Sequence, residues 1–208
     1  MNALETTLFV AVVSAIAATI IGTIAAIGID ALGKKSKAIV MNITYLPVLN
    51  PDIVTGISLM ILFVFLGIPF GRISLLLAHI TFNIPFVIIS VLPKLKQLDK
   101  NMYEAALDLG AKPSYAYRRI ILPQIFPGII TGMLLAFTLS IDDFIVSFFT
   151  TGAGVSNLSI YIFTSVTKKG VNPSINALSA LMFIIIFALL VIINARTSKT
   201  IKKSNKAN

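Results

Sequence analysis

Glu104-Ala105-Ala106-Leu107-Asp108-Leu109-Gly110, followed ten residues later by Ile120-Ile121-Leu122-Pro123, interrupts two long apolar stretches with a polar segment. To either side the chain is composed for lipid, so a polar segment of this length needs structure of its own and a partner outside the membrane. Its folding signals are local. Asn101 with Glu104 three residues on reads as a cap pair, the Glu reaching back to the backbone N–H of the cap. Residues 102–109 then make about two helical turns, and Gly110 supplies a stop that accepts φ > 0. Pro113 suits the first turn of a second helix over 114–122. Pro123 and Pro127 are expected to interrupt the chain before the next span. The expectation is a helix–Gly turn–helix lying against one membrane face. Ala105 and Ala106 would give it a small-residue surface that another protein's backbone can approach. A plain amphipathic hairpin, or a helix–turn–helix for DNA, would use the same elements without the full spacing.

Composition decides the class. Of 208 residues, 57% are hydrophobic, and the mean hydropathy is +0.95. A bilayer core about 30 Å thick takes roughly 20 apolar residues per helix, and five segments qualify: 7–29, 53–70, 73–92, 125–149 and 176–193. Barrel strands would instead alternate over about ten residues. The fold class is therefore all-α, a polytopic membrane protein. It forms one domain over 1–208, with the loop 94–123 inside it and a basic tail at 196–208.

The net charge of +9 is a topology signal. If the spans alternate, all but three of the 17 basic residues (Arg72, Lys168 and Lys169) fall on one side, in the stretch after the first span, the long loop and the tail. The positive-inside rule puts that side in the cytoplasm, so no nucleic-acid partner is needed. Five spans with a cytoplasmic C-terminus leave Met1 outside without a basic flank or signal peptide, so either the N-terminus is translocated unaided or, the reading preferred, a span precedes it.

Other chemistries are excluded or weak. There is no cysteine, hence no disulfide or thiolate metal site. His79 is the only histidine, which removes histidine-cluster metal sites. It reads as a bundle-facing polar residue, since a proton relay would need a carboxylate that its own span does not supply. The stretch from Gly28 to Gly33-Lys34-Lys35 nearly spells a phosphate-binding loop, but it follows an apolar helix rather than a strand. Gly128 and Gly132 form a small-residue pair suited to close helix packing. Asn50 and Asp52, at the inner mouth of the second span, read as helix caps and only weakly as pathway residues.

The pattern Glu-Ala-Ala-x3-Gly-x9-Ile-x-Leu-Pro resembles the EAA loop of ABC-importer permeases. Asn50-Pro51-Asp52-Ile53-Val54, Ser74–Leu77 with His79-Ile80-Thr81-Phe82, and Phe137-Thr138-Leu139-Ser140-Ile141-Asp142-Asp143 look like the C-type permease subunit of spermidine/putrescine ABC importers. The resemblance runs from about Leu8 onward. It implies a type I importer permease fold of six spans, seen here with five and without the first. It also implies a multi-pass protein of the bacterial inner membrane, with the loop and C-terminus cytoplasmic and lipid around the spans. The implied partners are a homologous permease, an ABC ATPase dimer and an extracytoplasmic polyamine-binding protein. ATP and Mg would be bound by the ATPase and no cofactor by this chain, which is then not itself an enzyme. Glu104, Ala105, Ala106, Leu107, Asp108 and Gly110 would form the ATPase-docking element.

Two carboxylates, Asp142 and Asp143, lie deep in the fourth expected span. Intramembrane carboxylates cost about 2.5–3.5 kcal/mol at a helix centre, so they mark function by default. Polyamines are polycations with methylene stems, and aromatic faces attract ammonium groups. Asp142, Asp143, Phe144 and Phe148 offer that combination and are the candidate substrate pathway. Neighbouring helical positions differ by about 100°, so the two aspartates should not point the same way. The alternative is structural pairing with Lys168 or a partner subunit. The rival functions are an importer permease for another solute, an ATPase-independent secondary transporter or channel, and a scaffold that transports nothing.

Overall fold

A computed structural model describes residues 3–170 and, beyond them, 173, 176, 177, 179–181, 183, 184, 187, 188 and 191. Among the described residues every regular element is helical. The basic tail 196–208 lies outside them. The expected fifth span, 176–193, falls only partly within them, and its described positions are helical. The chain divides into two compact units, one ending at Ser159 and the other beginning at Ile160.

The first unit is built on α1 (Ala3–Ala31), α4 (Arg72–Lys96) and α7 (Leu122–Asp142), which pack pairwise on one another. The packing inverts the pattern of a soluble bundle. Along α1 the small residues Ala11, Ala15, Ala18, Gly22 and Ala26 are buried, while Phe9, Val12, Ile16, Ile20 and Ile24 face outward. Lipid solvates bulky side chains as well as a core does, so small residues at the seam let backbones approach and gain van der Waals contact. A Cβ on Gly22 would lie 2.7 Å from Val87 Cβ. One on Gly128 would lie 3.0 Å from the Ser90 carbonyl oxygen, and one on Gly132 3.2 Å from Val87 Cα. The expected close approach at Gly128 and Gly132 is thus a contact between α7 and α4.

Two expected spans have other boundaries. The second, 53–70, is shorter: α3 covers Asp52–Phe65 and is preceded by another helix, α2 (Lys34–Leu49). The two meet at 107°. Pro51 causes the bend, because its ring excludes the preceding residue from helical backbone and Asn50 is extended (φ −78°, ψ 147°). The lysines after the first span therefore open a helix, and Lys37 Nζ pairs with Asp30 Oδ1 at 2.5 Å. No side chain caps α3, so the expected capping role of Asn50 and Asp52 is not observed.

The interruption expected at Pro123 and Pro127 is absent. Helix α6 (Pro113–Ala116) runs through a π-helical turn, Tyr117–Ile121, into α7, a continuous rod of 30 residues. Within the turn the Leu122 N–H bonds the Tyr117 carbonyl five residues back. Widening the turn displaces the carbonyl that the Pro123 ring would otherwise strike. At 1.5 Å per residue the rod is about 45 Å long, so its first turns extend beyond an apolar core of about 30 Å.

The fourth expected span, 125–149, is broken. Helix α7 ends at Asp142, Asp143 is extended (φ −63°, ψ 121°), and α8 (Ile145–Thr150) starts anew. Gly56 of α3 faces Phe149 and the α8 backbone, and Gly152 sits so close to the Phe70–Gly71 backbone that no Cβ would fit. Helix α9 spans Leu158–Lys169.

Candidate functional site

Three features lie at defined places in the first unit: a cavity at the α7–α8 break, a buried polar cluster behind it, and the loop at the opposite end of the bundle.

The break follows from Asp143. Its Oδ1 accepts the Val146 N–H at 3.1 Å and its Oδ2 the Ser147 N–H at 2.7 Å. An aspartate that satisfies the orphan N–H groups of a new helix competes with continuing the old one. Because the chain turns there, Asp142 and Asp143 line one cavity, which a continuous helix would have prevented. That cavity measures about 370 Å³ and is also lined by Asp52, Phe82, Thr138 and Phe144. The bend at Pro51 brings Asp52 there, not to the mouth of a span. Asp142 is exposed, and among the described residues no hydrogen bond or ion pair reaches its carboxylate. The Asp143 side chain is 6% exposed. The Phe144 and Phe148 ring centroids lie 5.5 Å apart with the rings tilted by 37°, but Phe148 does not line the cavity.

Behind the break lies the polar cluster. His79, 1% exposed, places Nε2 at 2.9 Å from Ser147 Oγ and 3.6 Å from Asp143 Oδ2. The carboxylate missing from its own span is thus supplied by the break. Asn157 Nδ2 donates to Ser147 Oγ at 2.7 Å and to the Asp143 carbonyl at 3.3 Å. One turn along α4, Asn83 Nδ2 donates to Ser140 Oγ at 2.7 Å, and Ser140 meets Ser14 at 3.0 Å. Sequence reading missed Asn157, Ser147 and Ser140; small polar residues inside apolar runs carry no spacing rule.

At the other end, α5 spans Lys100–Asp108. Its cap is Asp99, whose carboxylate accepts the Asn101 N–H at 3.0 Å, in place of the expected Asn101–Glu104 pair. Gly110 takes φ +82° as expected. The Ala111 N–H bonds the Ala106 carbonyl and the Gly110 N–H the Leu107 carbonyl, a Schellman closure of the helix. Glu104, Ala105 and Asp108 are exposed, Leu107 is half-buried, and Ala106 turns inward. Tyr103 and Tyr117 rings, 5.1 Å apart, tie α5 to the π turn. Leu109 is 89% and Tyr115 58% exposed, both beside a groove of about 920 Å³ that Lys112, Arg118 and Arg119 also line.

Comparison with known proteins bears on the family and the fold. Residues 18–198 match the family described as the binding-protein-dependent transport system inner membrane component. The spermidine/putrescine transport system permease protein PotC of Escherichia coli K12 is 40% identical over 191 residues, covering 92% of this chain and 72% of that protein. The putrescine transport system permease protein PotI of the same strain is 43% identical over 190 residues, covering 88% of this chain and 67% of that protein. Among solved structures, an inward-facing MetNI methionine ABC transporter superposes with a TM-score of 0.73 at 18% identity, over 94% of this chain and 93% of that one. At that identity the likeness is one of fold.

Proposed function

Since the chain belongs to the binding-protein-dependent transport system inner membrane component family, we propose that it is the permease subunit of an ATP-driven importer whose cargo is a polyamine of the spermidine/putrescine class. The observation that carries the cargo is the cavity at the break. Three carboxylates, Asp52, Asp142 and Asp143, and two aromatic rings, Phe82 and Phe144, line about 370 Å³. Carboxylates offset the ammonium charges of a polyamine, and ring faces add about 0.5–2 kcal/mol per cation. The names of the two permease relatives point the same way. An anion would be repelled from this lining. Phe148 leaves the pathway in this reading.

The permease works with partners: a second, homologous permease, an ATPase dimer and an extracytoplasmic binding protein. The loop 94–123 docks on the ATPase. In support, Leu109 and Tyr115 are apolar side chains that neither the core nor an apolar bilayer stripe accounts for, and Glu104 and Asp108 stand exposed on the same loop. Closure of the ATPase dimer around ATP would shift the permease between outward- and inward-open populations through the rod 113–142, rooted in the loop and ending at the cavity. The loop and the tail face the cytoplasm, because they hold the basic residues.

The test is uptake of radiolabelled spermidine by cells lacking their own importer and expressing this chain with its partner subunits. Wild type should accumulate label. Glu104→Lys should lose at least ten-fold while the protein reaches the membrane. An assembled wild-type complex that takes up no spermidine or putrescine would remove the polyamine assignment.

A further inference from the structure

We propose that His79 is a positioning residue for transport: it clamps the α7–α8 break so that Asp142 and Asp52 share one cavity. The proposal rests on the permease reading above, and it concerns a residue that the substrate does not touch. His79 is 1% exposed and is absent from the cavity lining, whereas Phe82, three residues along α4, is part of that lining.

The geometry gives the clamp a direction. Among the described residues Nδ1 of His79 is buried without a partner, while Nε2 faces Ser147 Oγ. A buried N–H with no acceptor is rarer and costlier than a buried lone pair, so the tautomer that fits carries its proton on Nε2. His79 then donates to Ser147 Oγ, with the Asp143 carboxylate 3.6 Å away on the same side. Asn157 fills the other lone pair of that hydroxyl at 2.7 Å. Ser147 is also the residue whose N–H the Asp143 carboxylate caps at 2.7 Å. Three segments, α4, the first turn of α8 and the stretch before α9, therefore meet on Ser147 and Asp143. With both Asp143 oxygens occupied by α8, the carboxylate next to it, Asp142, is the one left on the open side of the cavity. Loosening His79 would let the broken segment rotate and separate Asp142 from Asp52.

A residue that merely joined helices would, when lost, lower the yield of complex and leave the affinity of the surviving molecules unchanged. A clamp predicts more. Glutamine places its amide nitrogen as many bonds from Cα as the imidazole Nε2, asparagine one bond fewer, and leucine offers no donor. The experiment uses the assembled importer with His79→Gln, His79→Asn and His79→Leu, and measures the KM and maximal rate of spermidine uptake. Expected is a KM within three-fold of wild type for His79→Gln and raised at least ten-fold for His79→Asn and His79→Leu, with maximal rates changed less. A second readout needs no transported substrate. The chain has no cysteine, so Thr138→Cys provides a single thiol on the cavity wall. Its rate of reaction with a cationic methanethiosulfonate, read as a mobility shift of this subunit, should change at least three-fold on adding His79→Leu or His79→Asn but not His79→Gln. Should His79→Leu fail to assemble, the comparison of glutamine with asparagine decides. Equal KM and equal labelling for those two variants would overturn the clamp. Absence of spermidine uptake by the wild-type complex would instead sink the polyamine reading, and the labelling comparison would still test His79.

Discussion

The two halves of helix α4 both bury apolar side chains, but only the first buries hydrogen-bonded polar groups among them. Its second half meets α1 and α7 through Val87, Ile88, Val91, Leu92 and Leu95, against glycines and alanines. Its first half buries Leu75, Ala78 and Phe82 and, beside them, Ser74, His79 and Asn83, each of these three held by a residue of another segment. The apolar half is fixed by close backbone approach, which tolerates no added volume but demands no direction. The polar half is fixed by directed hydrogen bonds, and these break a span where apolar packing alone would have continued it. The transport reading proposed above uses both: a rigid bundle against which to move, and a cavity whose carboxylates do not lie along one straight helix.

The largest effect is expected where the backbone itself is the obstacle. Gly152→Ala would drive a Cβ into the Phe70–Gly71 backbone, beside the Ser74 hydroxyl that donates to the Thr150 carbonyl at 2.7 Å. No side-chain rotation relieves that clash, so the folded subunit should fall to a small fraction of wild type in detergent extracts run on a sizing column. Wild-type recovery would mean the 150–152 turn moves freely against the α3–α4 hairpin and is no part of the fixed frame.

Next comes a separation of the two aspartates. Asp142→Asn should leave the yield and thermal stability of the complex near wild type and raise the KM for spermidine about ten-fold or more, a loss of about 1.4 kcal/mol or more. Asp143→Ala removes a helix cap and should also lower stability by about 0.5–2 kcal/mol. Identical effects of the two substitutions on stability would erase the distinction between a cavity charge and a capping charge.

Sequence reading served the two halves unequally, for physical reasons. Spans built on α1, α4 and α7 show as runs of about 20 apolar residues, and the Gly128–Gly132 pair announced its contact. Gly110 announced its turn, because a positive φ selects so few residues. The break at 142–144 was hidden, since Phe144–Phe149 continues the apolar run that a hydropathy count follows. The one clue was Asp143 itself, a residue type that favours helix caps, set inside an expected span. Helix α2 was hidden by Lys34, Lys35 and Lys37, which read as a loop, and with it the bend at Pro51 that brings Asp52 to the cavity. His79 found its carboxylate from a segment 64 residues away in sequence, a juxtaposition that no local spacing encodes.

The smallest effects sharpen the comparison from its apolar side. Gly22 and Gly28 lie six residues apart in the same helix. A Cβ at Gly22 meets Val87 Cβ at 2.7 Å and Cγ1 at 2.8 Å, and Val87 Cβ is fixed to the α4 backbone, so no rotamer clears it. Nothing lies within 4 Å of a Cβ at Gly28. Alanine is a better helix former than glycine by about 0.8–1 kcal/mol. Gly28→Ala should therefore leave the complex unchanged or slightly more stable, whereas Gly22→Ala should cost about 1–3 kcal/mol through overpacking, net of the same gain in propensity. Thermal melts of the two purified complexes give the contrast directly. If both substitutions shift the melt equally, helix propensity alone explains them and the α1–α4 seam is not close-packed. If only Gly22→Ala destabilises, the seam is a contact of backbones, and the rigidity of the bundle rests on how closely its helices approach.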